Sequence, residues 1–141
     1  MIFKHTYSTL ATVVTAVLLA GAATAASPAG HASILIRHQM RGCHSWSVNR
    51  GPFKATQSIA LRRGGWITVV DNDVMPHKLV QTSGPSARIQ TPSMAHMGAT
   101  AKVSFAHSGV YRFTTKVGED YMAGVKTTGE DNVLRLTVTV S

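Results

Sequence analysis

After residue 30 the chain breaks into short runs in which apolar and polar residues alternate. Each run is closed by Gly, Pro or Asn, and none keeps a helical period. A period of two puts successive side chains on opposite faces of a strand, so each run can bury one face and wet the other. Residues 33–37, 56–61, 66–70, 77–81, 101–105, 110–114 and 132–140 read as strands. Gly64-Gly65 reads as a turn between the second and third, and Ser108-Gly109 as a hairpin turn between the fifth and sixth. Together they predict an all-β fold, a Greek-key β-sandwich of about seven to eight strands. Two segments fit neither strand nor turn: Thr82 to Gly98, rich in Ser, Pro, Gly and Met, and the glycine-bearing stretch from Lys116 to Asp131. Loops of that length in a compact domain tend to be functional or disordered. An alternating strand is expected to bury the indoles of Trp46 and Trp66.

The first 25 residues stand apart from this pattern. Lys4 and His5 precede an apolar run from Leu10 to Ala20, and Ala23-Thr24-Ala25 supplies the small residues a signal peptidase accepts. These features predict a cleaved signal peptide over residues 1–25 and one domain over 26–141. The expected location is therefore exported, either periplasmic or extracellular. No later segment is apolar for the ~20 residues that a spanning helix requires.

The formal charge is +8, from 14 Lys and Arg against 6 Asp and Glu. Lys4 is the only such residue in the first 25, so the remainder carries +7. In a nucleic-acid-binding protein these bases would cluster with aromatics. Here they stand singly, often in strand alternation, as with Lys102, Arg112, Lys116, Lys126 and Arg135. No nucleic acid is expected as a partner; an acidic protein is. An enzyme is not expected either, because Gly-x-Ser-x-Gly, paired carboxylates and a phosphate-cradling glycine loop are all missing. Asp71 and Asp73 flank Asn72 and read as turn formers.

What remains is a set of soft and borderline metal ligands. An exported chain with a single cysteine, Cys43, leaves that thiol without an intramolecular disulfide partner. It lies beside His44, with His38 and Met40 just upstream. Further on come Asn72-x-x-x-Pro76-His77, Gly109-x-Tyr111-x-Phe113 and Tyr121-Met122-Ala123-Gly124, with Gly64-Gly65-Trp66 ahead of them. In this order the segments resemble the cupredoxins, the blue-copper family of plastocyanin and azurin. The Pro-His segment is the most specific of them. The resemblance implies a cupredoxin-like sandwich with copper at one end, His77 as a ligand, and one-electron exchange with a redox partner.

The chain departs from that family at its second ligand-bearing loop. Thr115 and Gly118 stand where the family has a cysteine and, three positions on, a histidine. One reading is a rebuilt copper site with Cys43 and His77 as strong ligands, Met122 as a weak axial one and His44 as the second imidazole. His38 and His96 are alternatives for that imidazole. Cys43 and His44 can both face one ion only if Gly42 permits a bend, because strand side chains alternate. A second reading is copper trafficking or storage, in exchange with a partner protein. Met40, Met97 and His96, in the peptide Met94-Ala95-His96-Met97, are further candidate ligands there, since thioethers favour Cu(I). A third is a metal-free sandwich acting as a binding module.

Overall fold

A computed structural model describes residues 26–119, 123–124 and 128–141. It contains β1 (Ala29–His38), β2 (His44–Val48), β3 (Thr56–Asn72), β4 (His77–Ser83), β5 (Arg88–Gln90), β6 (Ser93–Met94), β7 (Thr100–Ser104), β8 (Gly109–Val117) and β9 (Arg135–Val140), with no helix among the described residues. None of those residues forms a helix long and apolar enough to cross a membrane. The expected all-β class is the observed one. The strand count is nine rather than seven to eight: the runs at 56–61 and 66–70 are one strand, β3, while β2 was not marked by alternation and β5 and β6 lie in the Ser/Pro/Gly/Met segment that offered none.

Backbone hydrogen bonds link the strands in the order β2-β1-β3-β9-β8-β4-β6, with β7 on β3 and β5 on β7. β3 is the hinge of this arrangement. Its first half, Thr56–Leu61, pairs in parallel with β9, and its second half, Trp66–Val70, pairs antiparallel with β7. β1 runs parallel to it, with a register break between Ala29 and His31 that absorbs residues 62–65. Gly64-Gly65 therefore bends one long strand between two layers instead of ending it. At Gly65 a Cβ would meet the carbonyl oxygens of Arg62 and Gly30 at 2.8 and 2.9 Å, so only glycine lets the strands close up there.

Ser108-Gly109 also departs from expectation. β7 pairs with β3 and β5, while β8 pairs with β4 and β9, so this turn carries the chain across the sandwich and does not close a hairpin. Local sequence marks a turn but cannot say which strands pair on either side of it. Ile34, Ile36, Trp46, Ile67, Val69, Tyr111, Phe113, Leu136 and Val138 form the core between the layers. Trp66, by contrast, is 38% exposed, with His31 on its ring at 5.2 Å and the Lys102 ammonium 5.3 Å from its centroid. It sits on the outer face of β3, where flanking polar side chains cover an indole that the core does not take.

Candidate metal centre

The site lies at the end of the sandwich where β1 turns into β2 and β3 turns into β4. Gly42 and Cys43 both take left-handed backbone conformations, with φ of +72° and +62°. For Cys43 this costs on the order of 1–2 kcal/mol, as for any L-residue with a Cβ. Two such residues in a row bend the chain into β2, and Cys43 and His44 are both buried although adjacent, as are the residues that follow through Ser47. This is the bend at Gly42 that the ligand arrangement requires. Asn132 holds it: its backbone N–H donates to the Gly42 carbonyl, its side-chain amide donates to the His44 carbonyl, and its own carbonyl meets His44 Nε2.

Opposite this bend is the turn from β3 to β4. Asp71 is fully buried and its two carboxylate oxygens accept the backbone N–H groups of Asp73 and His77, at 2.9 and 3.2 Å. Asp73 accepts in turn from the Met75 N–H. These bonds fix the turn and aim Asp73 and His77 at each other, with His77 Nε2 3.1 Å from Asp73 Oδ2. The other ring nitrogen of His77 lies 2.9 Å from the Thr115 hydroxyl. His77 is thus oriented at both nitrogens.

His44, Asp73 and His77 converge, each offering a ligand atom within 4.8 Å of the others, and all three side chains are buried. The His44 and His77 rings meet edge to face at 5.1 Å. His38 pairs with His44 across the β1–β2 hairpin and brings its Nδ1 to 3.4 Å from the other oxygen of Asp73. That is ion-pair distance for a protonated ring, yet neither His38 nitrogen is hydrogen-bonded. His44 Nδ1 is likewise buried without a hydrogen-bond partner. Cys43 Sγ lies 2.8 Å from Met75 Sδ, which ties the β1–β2 bend to the β3–β4 turn, but the thiol is not among the convergent ligand atoms.

The electrostatics follow from burial. Desolvation pulls the His44 pKa down, helped by the neighbouring His77 and opposed by the Asn132 carbonyl, so His44 is neutral at pH 7. Asp71 is pushed up to about 6, first by burial, against the two backbone N–H groups it accepts. For Asp73 burial also acts upward, but the hydrogen bond from His77, the Met75 N–H and the positive fields of His77 and His38 outweigh it. Its pKa ends below the ordinary value. A neutral imidazole beside an ionised carboxylate is the state in which such groups can ligate a cation.

Of the candidates named from sequence, Cys43, His44, His77 and His38 come together at this end. Met122 lies outside the described residues. His96 and Met97 are exposed on the loop between β6 and β7, outside the His44, Asp73 and His77 group, and His96 Nδ1 approaches the Met97 carbonyl. Met40 is 73% exposed. Sequence reading missed Asp73. Asp73 lies four residues before His77, a spacing that was the available signal, but its turn-forming character offered a sufficient local explanation. Gly118 packs on Pro76, whose ring a Cβ would meet at 2.7 Å. A histidine cannot stand there without displacing the Pro76 turn.

No family model and no curated protein matches the chain. Among solved structures it is similar to a Cu(I) amicyanin variant, at 13% identity and a TM-score of 0.41, over 77% of this chain and 82% of that one. It is also similar to the copper-containing nitrite reductase of Thermus scotoductus, at 20% identity and 0.42, over 79% of this chain and 27% of that one. A third is the PixA inclusion body protein of Burkholderia cenocepacia, at 10% identity and 0.43, over 82% and 98%. Similarities this weak assign neither family nor function.

Proposed function

We propose that the protein is an exported copper-binding protein that holds the ion between His44, Asp73 and His77, with His38 beside them and the Cys43–Met75 sulfur pair at the same end of the sandwich. Its role is one-electron exchange with a partner protein. The observation that carries this reading is the pair of buried imidazole nitrogens lacking a partner, Nδ1 of His44 and Nε2 of His38, beside the convergent His44, Asp73 and His77 ligand atoms. A buried polar atom left without a partner costs ~1–3 kcal/mol, and two of them at one cluster call for a bound group to satisfy them. Imidazoles with a carboxylate suit several transition metals. The Irving–Williams order puts Cu(II) at the top, and a thiol and thioether alongside suit Cu(I). Copper, when bound, supplies the one-electron couple. The chain's own residues supply the rest: Thr115 orients His77 through Nδ1, so that Nε2 and the Asp73 carboxylate would take the ion in place of their mutual hydrogen bond, Asn132 orients His44, Asp71 fixes the turn, and burial of the ligand side chains excludes water.

Copper trafficking is the second reading, favoured by the exposed Met40, His96 and Met97. Copper titration of the purified protein separates the two. Under the first reading one Cu(II) binds, His44→Ala and His77→Ala each weaken it at least ~100-fold, and a His96→Ala, Met97→Ala double variant is unchanged. Binding lost with the exposed residues and retained without His44 and His77 overturns the buried site and supports trafficking.

A further inference from the structure

The outward face of the layer formed by β4, β8, β9 and the first half of β3 carries Lys78, Arg112, Lys116 and Arg135, all exposed. Not one Asp or Glu occurs in those strands. Lys78 and Lys116 are directly paired across β4 and β8. Like charges so placed destabilise a sheet. Among the described residues none of the four bases makes an ion pair, since those found are His38 and His77 with Asp73. Uncompensated charge on one face of a regular sheet is a cost to folding that an anionic partner offsets.

The same face is grooved. A cavity of about 400 Å³ lies between Arg112 and Arg135, with Thr56, Thr82, Thr114 and Thr137 among its lining residues. A second, of about 280 Å³, lies between Lys78 and Lys116, and its inner wall includes His77. Guanidinium groups suit carboxylates, which arginine takes in a two-pronged grip. No exposed aromatic ring lies among the lining residues to stack on a nucleic-acid base. Val133 is the large apolar side chain exposed there, too little for insertion into a bilayer.

The geometry points to this face as the docking site of an acidic segment of a partner protein. Its carboxylates lie on Arg112 and Arg135, and the segment continues over Lys78 and Lys116 towards the wall that His77 forms. The docking itself does not depend on the metal; only the identification of the partner as a redox partner rests on the copper reading.

The test is titration of the ¹⁵N-labelled full chain with a synthetic Asp/Glu-rich decapeptide, run metal-free and copper-loaded. Amide shifts are expected at residues 78–82, 112–116 and 135–137 in both forms, with affinity falling as salt is added. An Arg112→Gln, Arg135→Gln double variant, shown folded by its own spectrum, should bind at least tenfold more weakly. Arg62→Gln with Arg63→Gln removes equal charge from exposed positions near the β3 bend and should leave binding within twofold. Equal weakening by both pairs, no binding, or tighter binding to phosphatidylglycerol vesicles or to a DNA oligonucleotide overturns the proposal. Loss of peptide binding alone leaves the copper titration intact, so the two claims fail separately.

Discussion

The Thr115 hydroxyl lies 2.9 Å from Nδ1 of His77 and so stands against the imidazole where the family resemblance puts a thiolate. Because His77 Nε2 faces Asp73, Thr115 stands on the other ring nitrogen and positions the imidazole without facing the ion. Thr115→Val should therefore weaken Cu(II) binding by roughly 10–100-fold while leaving the number of imidazoles at the metal unchanged. Unchanged affinity in a copper titration would mean that this hydroxyl does not position His77.

Cys43 and Met75 bring their sulfurs together at 2.8 Å at the same end of the sandwich as the His44, Asp73 and His77 group. Soft donors prefer Cu(I), so Cys43→Ser should weaken Cu(I) binding by roughly 10–100-fold and Cu(II) binding much less. The reduction potential should fall accordingly. Competition titrations with calibrated chelators for each oxidation state check this, and equal losses in both states would place the sulfur pair outside the centre.

The titrations of the metal-free protein have opposing signs. Asp71 has its folded pKa raised from 3.8 to about 6, so between these values the folded state binds more protons than the unfolded chain. Its contribution falls as pH rises through that window, leaving a burden of about 3 kcal/mol above it. His44 is lowered from 6.5, so the unfolded chain binds more protons just below that pH, and its contribution is lost on acidification. Asp73, lowered from 3.8, stabilises the fold above that pH and loses this effect only on further acidification. Carboxyl NMR should find Asp71 titrating near pH 6, and urea unfolding of a His44→Gln variant should lose the decline below pH 6.5. A midpoint near 4 for Asp71 would contradict the enclosure of this turn.

Much of the architecture was legible because a two-residue period states which face is buried, as along β7 and β9. The pairing partners were less so. Ser108-Gly109 looks the same whether it joins neighbours in one layer or crosses between two, and β3 keeps strand character through a glycine pair that ordinarily ends one. At the site, Cys43, His44 and His77 were visible through their chemistry and Pro76 through its neighbour. Asp73 was not, because a short-range role in the turn accounts for an aspartate there. The approach of His38 and His44 to it is set by the β1–β2 hairpin and by Asn132, which lies 88 residues from His44. No local pattern encodes that contact.

The central claim is that buried imidazoles at the β1–β2 and β3–β4 turns hold copper. X-ray absorption at the copper edge of the loaded full chain tests it most directly. The expected spectrum shows two or more imidazole rings in the first shell, reduced by one in His44→Ala. A shell without imidazole scattering, or one that His44→Ala and His77→Ala leave unchanged, would contradict it.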